Sequence, residues 1–77
     1  MTRDQVFDLI SCERVLQDKM YGGKQHDTKH SDSDWLIFIE RFLNKAKESF
    51  YHGNDHSTIE SMVKIAALAT AFLETKE

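Results

Sequence analysis

The sequence predicts an all-α chain of three helices, one domain over residues 1–77, forming a helical bundle by homo-oligomerisation. Three observations carry this. Proline is absent, and the only glycines, Gly22, Gly23 and Gly53, cut the chain into three segments. Each segment opens on a capping pattern and repeats apolar residues at helical spacing. The third segment is apolar on two sides, more than two other helices of a 77-residue chain can cover. The short connections are expected near residues 21–31 and 52–57.

The first helix opens with Thr2-Arg3-Asp4-Gln5, a capping box. Val6, Phe7, Ile10, Val15, Leu16 and Met20 follow at helical spacing, less regularly across Ser11 to Arg14. Gly22 suits the left-handed turn that closes a helix after Tyr21. The second helix begins at Ser31 or Ser33, with Asp32 and Asp34 in the first turn, complementing the helix dipole. Trp35, Phe38, Ile39, Phe42, Ala46 and Phe50 form its core stripe, and Leu36, Ile37 and Leu43 widen it. Gly53 ends it.

Ser57-Thr58-Ile59-Glu60 reads as the capping box of the third helix, with Asp55 as another capping residue. Ile59, Met62, Val63, Ala66, Thr70 and Leu73 make one seam; Ile65, Leu68, Ala69 and Phe72 make another. A helix with two apolar seams calls for a second copy of the chain, the alternative being a loose monomer with some exposed apolar surface. The alanines at 66, 67, 69 and 71 allow close helix approach.

The net charge of −3 offers no basic field and argues against general nucleic-acid binding. A single cysteine, Cys12, excludes an intrachain disulfide and fits a reducing compartment. It lies in a helix without a nearby histidine and reads as a packing residue. The start, MTRDQVFDL, lacks the apolar region of a signal peptide. No apolar run reaches the roughly 20 residues of a membrane span. The expected location is the cytoplasm, without a membrane partner.

The stretch KMYGGKQHDTKHSDSDW, residues 19–35, holds His26, Asp27, His30, Asp32 and Asp34, all of which carry metal-ligating atoms. Their spacing matches no closed zinc pattern, and a solvated loop running into a charged N-cap explains them as well. A third reading is anion binding. Gly22 and Gly23 would free backbone N–H groups, with Lys19 and Lys24 beside them and a helix N-terminus following. His52-Gly53-Asn54-Asp55-His56 reads as a connection. Polar strips run along Glu13, Arg14 and Gln17 on the first helix, and along Glu40, Asn44, Lys47 and Glu48 on the second.

The order Glu13-Arg14, Gln17, Lys19, Gly22, His26-Asp27, then a helix opening on Asp34-Trp35, then a final Val63-Lys64-Ile65-Ala66-Ala67-Leu68-Ala69 helix resembles small phage and prophage proteins of the MazG-like group. These are all-α nucleoside triphosphate pyrophosphohydrolases and their relatives. The resemblance spans residues 13–74. It implies magnesium held by a Glu-Glu-x-x-Glu motif and a later Glu-x-x-Asp motif, set on the triphosphate. The first motif here reads Glu40-Arg41-Phe42-Leu43-Asn44, keeping one carboxylate; the second falls at Glu60-Ser61-Met62-Val63 or one residue later, without its aspartate. Glu40 and Glu60 are the catalytic candidates it implies, and Glu40, Glu48 and Glu60 the metal candidates. Magnesium is expected only if the chain is active.

Three functions stand side by side. The first is a nucleotide- or phosphate-binding protein that does not hydrolyse its ligand, with Glu13, Arg14, Gln17, Lys19, Gly22, Gly23, Lys24 and His26 as ligand-binding residues. Arg14 would clamp a phosphate or stack on a base, Lys19 would add charge, and His26 would donate a hydrogen bond. The second is a small phage inhibitor that binds a host protein, working in the host cytoplasm. The third is an active magnesium-dependent pyrophosphohydrolase. A homo-oligomer, a dimer or larger, is expected in each.

Overall fold

The computed structural model describes residues 1–23 and 27–76, and these form three helices with no strand among the described residues. Helix α1 spans Arg3–Tyr21, α2 spans Asp32–Tyr51 and α3 spans Asp55–Glu74. No helix among the described residues is long and apolar enough to cross a membrane.

The local signals set most of the boundaries. Thr2 caps α1 in a reciprocal box with Gln5. Gly22, at φ 91°, closes it, and its N–H donates to the Asp18 carbonyl at 2.9 Å. Ser31 caps α2, its Oγ accepting from the Asp34 N–H at 3.3 Å while Asp34 accepts the Ser31 N–H at 3.1 Å. The Ser57–Glu60 box does not form. Helix α3 starts earlier, because Gly53 turns at φ 71° and Asn54 Oδ1 takes the Ser57 N–H at 3.1 Å. Ser57 Oγ then accepts from Ser49 Oγ at 2.9 Å, and Glu60 pairs with His56 at 2.7 Å.

Helix α3 is the spine. Both other helices pack on it, while α1 and α2 make no close approach to each other among the described residues. The residues buried on these two helices are mostly small: Ala46 on α2, and Ser61, Ala67 and Ala71 on α3. Trp35 is the only large apolar side chain that is buried among the described residues. Much of the expected stripe of α2 is thinner than its sequence suggests. Phe38, Ile39 and Phe42 are half-buried, and Phe50 is 67% exposed, its ring meeting that of Tyr51 edge to face at 6.0 Å. On α1, Phe7, Val15, Leu16 and Met20 are exposed. Cys12, expected in the packing, is exposed too.

Candidate cleft between the first two helices

Because α1 and α2 both lean on α3 without meeting, they leave a cleft of about 600 Å³ between them. Helical spacing sorts its walls. Residues 38, 41, 42 and 45 of α2 share one face, and so do 13, 14, 17, 20 and 21 of α1. Lys64, Leu68 and Ala71 of α3 make the floor.

One wall is aromatic. His30, Trp35 and Phe38 meet edge to face, with centroids 5.1 Å apart for His30–Phe38, 5.9 Å for His30–Trp35 and 6.0 Å for Trp35–Phe38. Tyr21 faces them from α1. Beside this wall lies a cationic group. Lys45 and Lys64 both sit over the Phe42 ring, Nζ 5.3 and 5.9 Å from its centroid. Lys64 is 3.8 Å from Glu13, a long pair. Arg41 and Lys45 have no carboxylate partner among the described residues. The cleft thus holds four cations against two carboxylates, in a protein whose net charge is −3.

The fourth cation is Arg14, and its charge is already engaged. The residue is 8% exposed overall, and its guanidinium meets Glu74 at 2.9 Å, Asp18 at 3.0 Å and Asp27 at 3.5 Å, with Gln17 Oε1 at 3.1 Å. Burial opposes its charge, but the hydrogen bond to Glu74 and the nearby Glu74, Asp18 and Asp27 carboxylates outweigh it and raise the pKa. This knot ties α1 to the end of α3 and to the connection before α2. An arriving phosphate would meet three carboxylates with the guanidinium.

The other sequence candidates divide. Glu13, Arg14 and Gln17 line the cleft; Lys19, Gly22 and Gly23 do not. Lys19 stands in the last turn of α1, where it complements the dipole. The Gly22 N–H is used in closing α1. Lys24 and His26 lie outside the described residues. The N-terminus of α2 is filled by its own cap, and Asp34 holds a lowered pKa because the Ser31 N–H donates to it, with burial opposing and His30 assisting. Glu48 and Glu60 line a second, shallower hollow of about 360 Å³ that also takes in Lys45 and Lys64, and Glu40 lines neither cavity. Among the described residues no three His, Cys, Asp or Glu side chains converge as a metal site. Sequence reasoning passed over Arg41, Lys45 and Lys64. The signal was the i, i+4 pair Arg41 and Lys45 flanking the apolar stripe of α2.

No family model, curated protein or solved structure matches this chain.

Proposed function

We propose that the protein binds a small ligand bearing both a planar ring and phosphate-type charge, a nucleotide or nucleotide-derived molecule, in the cleft between α1 and α2, and releases it unhydrolysed. The observation that carries this is the pair Arg41 and Lys45. Among the described residues they stand without carboxylate partners next to an aromatic wall, in a cleft whose volume of about 600 Å³ falls in the range of small-molecule sites. A ring would stack against Phe38 or Tyr21, and the phosphates would reach Arg41, Lys45 and Lys64. Glu13 and Gln17 would then meet hydroxyl or amino groups. The MazG-like resemblance supports the same ligand class, and with it a phage or prophage origin and work in the host cytoplasm as a homo-oligomer. Holding without hydrolysis is supported by Glu40 standing outside the hollow that Glu48 and Glu60 line and by the two lysines that line it with them.

The test is calorimetry and thermal shift across nucleoside mono- and triphosphates and cyclic dinucleotides, with and without magnesium. Binding should need no magnesium, and Arg41→Glu or Lys45→Glu should abolish it. Neutral replacements, Arg41→Gln or Lys45→Gln, should each weaken it roughly 10- to 150-fold, the equivalent of one charge-assisted hydrogen bond. Absence of heat with every member overturns the reading. Magnesium-dependent pyrophosphate release, abolished by Glu40→Gln, favours the hydrolase instead. A second reading, capture of a host protein, draws on the exposed Leu36, Ile37 and Leu43 of α2.

A further inference from the structure

Past its first turn, where Asp55 stands, the outward face of α3, opposite the cleft, carries no charge. At 100° per residue, Ser61, Lys64, Ala67, Leu68 and Ala71 point toward the other helices and the cleft. The opposite arc holds Ile59, Met62, Val63, Ala66, Ala69, Thr70 and Leu73. Ile59 is 49% exposed, Met62 53% and Leu73 65%, and the four between them are half-buried. Thirteen residues of helix separate Ile59 from Leu73 without one charged side chain on that arc. The outward faces of α1 and α2 differ: charged residues such as Asp4, Asp8, Glu40 and Lys47 interrupt their exposed apolar side chains.

The accessible area says how much is missing. A monomer of 9.0 kDa is expected to expose about 4,850 Å², whereas this chain exposes 5868 Å². The excess, about 1,000 Å² over the whole chain, exceeds the roughly 800 Å² that each partner contributes to a standard interface, and the arc of α3 is the apolar face least interrupted by charge. The arc is also self-complementary. Reversed about Ala66, Ile59 meets Leu73 of the partner subunit, Met62 meets the partner's Thr70, and Val63 meets the partner's Ala69. Large residues then oppose large ones at the ends, and two alanines face each other at the centre. The reversed direction sets the helix dipoles antiparallel, as a twofold axis permits.

We propose that two copies pair through the outward faces of α3, antiparallel, with the twofold axis passing at Ala66. The cleft of each copy then opens away from the interface, so ligand binding and pairing are separable. Sedimentation equilibrium should give a native mass of about 18 kDa, twice the 9.0 kDa chain. Ala66→Glu should halve it with helicity retained by circular dichroism, whereas Leu43→Glu on α2 should leave it unchanged. In a Cys12→Ser background, Ala66→Cys should oxidise to a cross-linked dimer. Ile59→Cys mixed with Leu73→Cys should cross-link only as the heterodimer. A native mass of about 9 kDa, or a dimer that Ala66→Glu leaves intact, overturns the proposal. So does Ala66→Cys that stays reduced under oxidant, a readout that holds even if the glutamate variant fails to fold.

Discussion

Arg14 is the residue whose removal should cost this fold most. Replacing it with Met keeps the stem and deletes the guanidinium. Two of its carboxylate contacts are cheap to lose: the Asp18 and Glu74 side chains are 46% and 50% exposed, and such pairs are worth about 0–1 kcal/mol each. The Asp27 contact is different. Both side chains are about nine-tenths buried, and breaking a buried pair from one side costs about 3–5 kcal/mol. At 3.5 Å the contact is long, so the lower end applies, and the whole change should cost about 3–4 kcal/mol. A chain of this length has roughly 4–12 kcal/mol to lose. The expected drop in Tm is therefore about 12–30 °C. Urea unfolding followed by circular dichroism, at one fixed protein concentration, measures it. Asp27→Asn in the Arg14→Met background should recover part of the loss. A cost under about 1 kcal/mol, or a double variant no better than Arg14→Met alone, would refute the idea that a buried charge pair holds α1 in place.

Ala67 of α3 is fully buried, so Ala67→Leu should destabilise by about 1–3 kcal/mol in the same urea assay, while Lys47→Leu on the exposed side of α2 should not. Asp34 should titrate below its ordinary value of 3.8, because the folded chain donates the Ser31 N–H to its carboxylate. A depressed folded pKa adds stability that is present above the unfolded value and is lost as pH falls through the folded one. The penalty of Asp34→Ala should thus be visible at neutral pH and fade in acid; an NMR midpoint for Asp34 at or above 3.8 would contradict this.

The helices were legible in the sequence because their signals are local. Thr2 with Gln5, Ser31 with Asp34, and Gly22 each act within a few residues of the boundary they set. The start of α3 was misplaced for a local reason too: Ser57-x-x-Glu60 has the letters of a capping box, but Asn54 after Gly53 captures the Ser57 N–H first. Pattern alone did not show how little of the apolar stripe is covered. Phe50 and Val15 fit the period of their helices, yet coverage depends on where neighbouring helices end, which no period encodes. The same limit hid the cleft. Arg41 and Lys64 are 23 positions apart, and nothing in either segment says that α3 brings them under one opening.

The carboxylates make a related point about charge. Asp18, Asp27 and Glu74 come from α1, the connection and the end of α3, and they gather around one position near the cleft. In many sites such a trio would take a metal ion. Here a guanidinium from α1 fills the place, satisfied by three carboxylates and one amide oxygen. The acidic side of the cleft is therefore already neutralised from within, and an approaching ligand meets the opposite side, where Arg41 and Lys45 have no such partners among the described residues. That asymmetry favours an anion over a cation as the occupant. It also separates two kinds of arginine that sequence treats alike: Arg14, whose loss should destabilise the fold by about 3–4 kcal/mol, and Arg41, whose loss should leave it as stable and unable to hold its ligand.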